Sequence, residues 1–139
     1  IDPWKPVERA LITHGHGDHA RWGSANYLCA ERSLGILRIR LGETANLQGC
    51  GWGERIKIGD VVVSFHPAGH ILGSAQIRVE YEGEVIVASG DYKTDPDSTC
   101  DAFEPVKCHT FISESTFGLP IYRWTADQAI FNDMNEWWA

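Results

Sequence analysis

Five of the six histidines in this 139-residue chain fall in two clusters, at positions 14, 16 and 19 and at positions 66 and 70, leaving His109 apart. The first cluster is the run His14-Gly15-His16-Gly17-Asp18-His19, three imidazoles and a carboxylate within six residues. On an extended backbone the side chains at i, i+2 and i+4 share a face, so His14, His16 and Asp18 can point together while His19 points away. His19 joins them only if the chain turns after Asp18, and the alternating Gly15 and Gly17 give the backbone freedom to wrap a small ion. Imidazole suits Zn, Fe and Mn alike and carboxylate suits the harder of them, so this donor set favours a first-row divalent metal, zinc first.

Four donors in one short segment can serve two metals, each then needing partners from elsewhere in the chain. His70 stands in the loop Pro67-Ala68-Gly69-His70-Ile71-Leu72-Gly73-Ser74, and Asp91 follows the apolar run Val85-Ile86-Val87-Ala88, both at strand ends from which a ligand can project. A carboxylate has two oxygens and can bridge metals about 3.5–4 Å apart. The pattern therefore assigns His14, His16 and His70 to one metal, Asp18 and His19 to the other, and Asp91 to both. His66 and His109 read as surface or hydrogen-bonding residues, and the cysteines as small core residues.

The elements that would hold these groups follow from periodicity. Arg9 to Thr13 reads as a buried strand delivering His14 to a sheet edge, and Tyr27-Leu28-Cys29 as another strand. Ala20 to Ala25 reads as a short helix. Ser33 to Leu41 is helical, with Leu34, Leu37 and Leu41 at spacings of three and four and Gly42 as its stop. Ile56 and Ile58 alternate before the Gly59-Asp60 turn, and Val61 to Phe65 returns as a hairpin. Ala75 to Tyr81 and Glu84 to Ser89 flank Glu82-Gly83 as a second hairpin. Thr110 to Ser113 is one more strand. Thr125-Ala126-Asp127-Gln128 has the form of a capping box, opening a helix with Ile130, Met134 and Trp137 on one side. Strands mostly first, with helices outside, predict an α/β layered sheet of mixed direction.

Composition sets limits. The chain is 43% hydrophobic and 22% charged, which excludes disorder and repeats, and its longest apolar runs fall far short of a membrane-spanning helix. Twelve Lys and Arg against nineteen Asp and Glu give a net charge of −7, so nucleic acid would have to be held by a local positive site. Two divalent metals against the charges of Asp18 and Asp91 leave such a site near +2. Cys29, Cys50, Cys100 and Cys108 form no CxxC pair and read as reduced thiols of a cytoplasmic protein. The chain opens at Ile1-Asp2-Pro3-Trp4 without Met and closes at Trp137-Trp138-Ala139 within a helix, as a piece of a longer protein would.

His14-Gly15-His16-Gly17-Asp18-His19 resembles the signature of the metallo-β-lactamase superfamily. Ala68-Gly69-His70-Ile71-Leu72-Gly73-Ser74, Ser89-Gly90-Asp91 and Ser113-Glu114-Ser115-Thr116-Phe117-Gly118 resemble, in order, the next motifs of its β-CASP nucleic-acid-processing branch. Ile1-Asp2-Pro3-Trp4 and Ala20-Arg21-Trp22-Gly23-Ser24 look more narrowly like bacterial exonuclease-type proteins associated with a DNA ligase and a helicase. The resemblance implies an αββα sandwich, incomplete here because residues 1–139 make a partial domain, with the β-CASP cap, later histidines and last metal ligand beyond Ala139. It implies ligand roles for His14, His16, Asp18, His19, His70 and Asp91. Glu114 falls where the family supports a catalytic histidine further along, and Phe117 stands where the family has Tyr. The implied reaction is hydrolysis of a phosphodiester with two divalent metals, Zn or Mn, and Asp18 also orienting the attacking water. Arg21 and Lys93 are candidate contacts to backbone phosphate. Two competing readings keep the fold: a hydrolase of small thioesters or lactams, against which the Ala-Gly-His loop and the Glu114 motif argue, and a non-catalytic scaffold subunit of a nucleic-acid-processing complex, against which the retained ligands argue.

Overall fold

The computed structural model describes all residues, 1–139, as two β-sheets laid face to face with a helix on one outer side. The smaller sheet is parallel, ordered β1 (Arg9–Ile12), β2 (Asn26–Ala30) and β3 (Leu47–Cys50). The larger holds β4 (Ile56–Ile58), β5 (Val61–Pro67), β6 (Ala75–Tyr81), β7 (Glu84–Ala88) and β8 (Thr110–Ile112) in chain order, antiparallel throughout except for the parallel β7–β8 pair.

Strand β2 shows why the layers stack. Its side chains alternate between two interiors, Leu28 and Ala30 facing Val63, Phe65, Ala75 and Ile77 of the larger sheet, Tyr27 and Cys29 facing Leu37 of the helix α1 (Leu34–Leu41). A strand buried on both faces reads as a continuous apolar run, which Tyr27-Leu28-Cys29-Ala30 is. Gly42, at φ 97°, ends α1 where a residue with a Cβ would be strained. The second hairpin turns at Glu82 and Gly83, both with positive φ, as a tight two-residue turn requires.

The expected α/β layering with strands of mixed direction is thus met, three local expectations are corrected and one strand is added. Residues 20–25 form no helix; Gly23 at φ 103° breaks the segment, and Ser24 N–H donates instead to the Tyr27 hydroxyl at 2.8 Å. Strand β3 was not expected, because Leu47-Gln48-Gly49-Cys50 carries little strand propensity and is made a strand by pairing with β2. The second helix, α2 (Asp127–Trp138), starts where expected, but no side chain caps it, and Gln128 donates to Asn132 instead of reaching back. Gly15 and Gly17 do not adopt positive φ; their role is space, since a Cβ on Gly15 would lie 2.5 Å from Ile36 of α1. None of the helices is long and apolar enough to cross a membrane.

Candidate metal centre

Both sheets end at the same place. Strand β1 delivers Thr13 and His14, the loop from β5 to β6 delivers His70, and the chain after β7 delivers Asp91. The Ala75 N–H donates to Thr13 O at 2.9 Å, tying β6 to the end of β1. Two glycines permit the approach. Gly69 (φ 73°) lies where a Cβ would sit 2.3 Å from Lys93 O, and Gly90 (φ 57°) where a Cβ would sit 2.7 Å from Thr13 Cβ. The His70 loop is pinned by Ser74, whose hydroxyl accepts from the backbone N–H groups of His70 and Ile71.

One ligand atom from each of His14, His16, His70 and Asp91 lies within 4.8 Å of the others. Asp91 is shared: its Oδ2 is 3.7 Å from His14 Nε2 and 3.6 Å from His70 Nε2, while its Oδ1 is 3.4 Å from His19 Nε2. The chain does turn after Asp18, with the N–H groups of His19 and Ala20 donating to His16 O, which stacks the His19 ring 4.1 Å from that of His14. Asp18 Oδ2 stands 3.7 Å from His19 Nε2, with its side chain 71% exposed. Four of the six expected ligands, His14, His16, His70 and Asp91, therefore bring their donor atoms together, while His19 reaches Asp91 from one side and Asp18 approaches only His19.

The residues fit a divalent cation on the evidence of one atom. His14 is fully buried and its Nε2 has no hydrogen-bond partner, a costly state for a polar atom unless something electrophilic meets it. Burial, reinforced by the neighbouring His19, His16 and His70, lowers the His14 pKa to about 3, and His70 is likewise lowered, first by burial. Neutral imidazoles are the ligand form. Asp18 is also held below the usual carboxylate range, chiefly by hydrogen bonding from its own backbone N–H.

Asp2 is the site residue that sequence reasoning missed. Its carboxylate accepts from Thr13 N (2.9 Å) and Thr13 Oγ1 (2.7 Å), and its Oδ2 is 2.9 Å from His19 Nδ1. A hydroxyl has one proton; with that of Thr13 given to Asp2, its oxygen accepts from His14 Nδ1–H, 3.0 Å away. Asp2 thereby fixes the proton on Nδ1 of both His14 and His19 and leaves both Nε2 lone pairs facing Asp91. Nothing in the spacing of Ile1-Asp2-Pro3 signals this, since the partners lie 11 and 17 residues away.

A cavity of about 320 Å³ opens beside His19, lined also by Asp2, Asp18, Asp91, Glu114 and Trp4. Glu114 accepts from Thr116 N–H. Neither expected phosphate contact lines the cavity: Arg21 donates from Nε to Asp18 O at 3.1 Å, and the Lys93 ammonium sits 3.4 Å from Asp97 and 3.9 Å from Asp127. His66 is held between Ser64 and Glu104, and His109 accepts from Val85 N–H, both as hydrogen-bonding residues. The four cysteines are free thiols.

The fold is a mixed α/β one of two facing sheets, and its site gathers His14, His16, His70 and Asp91 where both sheets end. Relatives by sequence are named for nucleic-acid enzymes: a probable DNA ligase of Opitutus terrae, 29% identical over 96% of this chain and 13% of that protein, and a ribonuclease of Thermus thermophilus, 28% identical over 85% of this chain and 33% of that protein. A cleavage and polyadenylation specificity factor subunit 3 of Dictyostelium discoideum is 31% identical over 50% of this chain and 9% of that protein. The chain thus spans a third or less of the curated relatives it matches. No family model matches it. Among solved structures, a protein of unknown function from Enterococcus faecalis V583 aligns with a TM-score of 0.56 at 19% identity, covering 62% of this chain and 25% of that one, a likeness of fold.

Proposed function

We propose that this chain carries the metal centre of a nucleic-acid phosphodiester hydrolase, of the exonuclease type, that works with two divalent cations, zinc or manganese. His14, His16, His70 and Asp91 would hold one cation and Asp18, His19 and Asp91 the other. Such cations supply an acidified water at neutral pH and positive charge opposite the phosphoryl oxygens. The chain's own residues do the rest. Asp2, directly and through Thr13, keeps the imidazole protons on Nδ1. Asp18, ionised and open to the cavity, accepts a hydrogen bond from the attacking water and turns its lone pair toward phosphorus. A new P–O bond forms as the P–O bond to the departing nucleotide breaks; the water's proton goes to solvent, and the departing oxygen takes one up from solvent. Glu114, on the cavity wall, serves as a positioning residue, and Arg21 offers its guanidinium to the backbone.

The observation that carries this reading is the buried, unpartnered Nε2 of His14 aimed at the atoms of His70 and Asp91. The names of the relatives support the substrate class, and the one named a DNA ligase supports a role in DNA repair beside a ligase. Metal analysis, followed by cleavage of end-labelled and circular single strands of DNA and RNA with Zn or Mn, tests it. The expected result is metal-dependent cleavage by the parent and at least about a 100-fold loss in His14→Ala and Asp91→Asn. Unchanged cleavage by either variant overturns the assignment.

A further inference from the structure

Trp4 is the most conspicuous side chain at the rim of the cavity, 79% exposed, with the Arg21 guanidinium carbon 4.3 Å from the centre of its ring. Arg21 is anchored from below by its Nε–H bond to Asp18 O, and no carboxylate of the protein pairs with its two terminal nitrogens. One face of the indole is thus covered by a cation and the other is open to solvent, within the same cavity wall as Asp18, His19 and Asp91. An exposed tryptophan that joins neither apolar core cluster but carries a cation on its face suits a flat ring linked to an anion.

We propose that Trp4 and Arg21 form a platform for single-stranded nucleic acid: a base stacks on the open face of Trp4 while the adjoining phosphate pairs with the terminal nitrogens of Arg21. The proposal deepens the hydrolase reading and rests on it for the orientation of the strand toward the centre. It selects single strands, because bases in a duplex keep their faces covered by their neighbours and have none to offer. It also explains how a chain of charge −7 holds a polyanion without a basic surface: one stacked base and one fixed guanidinium act beside the centre.

The test is the binding of a fluorescein-labelled oligothymidylate of about ten nucleotides, read by anisotropy at low ionic strength with metal chelated, for the full chain and its variants. Trp4→Ala is expected to weaken binding about 10-fold, and Trp4→Phe, which keeps a stacking face, to stay within about threefold of the parent. Arg21→Ala is expected to lower the dependence of log affinity on log salt by about one phosphate contact. Equal binding by parent and Trp4→Ala, absence of binding by the parent, or tighter binding of a duplex of equal length overturns the platform. The hydrolase reading is scored separately, by turnover of bis(p-nitrophenyl) phosphate by the parent with Zn or Mn. Strand binding sensitive to Trp4 without that turnover upholds the platform and sinks the hydrolase.

Discussion

Asp2 and His19 stand 17 residues apart in the chain and are joined by a 2.9 Å contact between a carboxylate oxygen and the ring Nδ1. The same carboxylate takes the Thr13 hydroxyl, so a single acid at the start of the chain sets the tautomers of two candidate ligands. Asp2→Asn keeps the shape but offers an amide where an anion stood. It is expected to lower zinc affinity about 10–100-fold, measured by competition with a chromophoric chelator, the usual range for loss of a partner behind a ligand. An unchanged affinity would show that Asp2 merely anchors the strand end.

Acid should loosen the metal-free protein in a defined window. His14 titrates near 3 when folded and near 6.5 when free, so between those values the unfolded chain binds more protons. Stability from this residue is full above about pH 6.5 and is lost as pH falls toward 3; His70, lowered in the same sense, adds to the slope. Urea midpoints measured with chelator present should therefore fall steadily over this interval, and in His14→Gln the slope should shrink.

Gly90→Ala should be costly for its size. The position combines φ 57° with a Cβ that would sit 2.7 Å from Thr13 Cβ, so about 1–2 kcal/mol of backbone strain is joined by a collision at the sheet junction. Chemical denaturation should show a loss of at least that amount together with weaker metal retention. A neutral outcome would mean that the junction yields without consequence.

Metal should stabilise the fold, because the candidate ligands come from both sheets. Zinc at about a thousand times its dissociation constant is expected to add about 4 kcal/mol, seen as a rise in melting temperature on titration and its reversal by chelator. His70→Ala, which removes a donor held by the larger sheet, should abolish most of that rise.

Much of this was legible in the sequence because the informative features are local. The spacing of residues 14–19 announces ligand chemistry, and the alternation around Ile56–Ile58 and Ala75–Tyr81 announces hairpins, since both depend on near neighbours. Strand β3 and Asp2 were not legible for the converse reason. Gln48-Gly49 becomes a strand only beside β2, and Asp2 acquires its role only when β1 returns past it. The Thr125 capping box failed as a local rule, the helix it introduces beginning without any side-chain cap.

The backbone tie from Ala75 to Thr13 joins two slabs of the molecule, each of which carries one half of the cage. Any slippage between those slabs alters the gap between His14 and His70 directly, so a spectroscopic cation such as cobalt would act as a ruler for docking, reporting the last step of assembly as it happens.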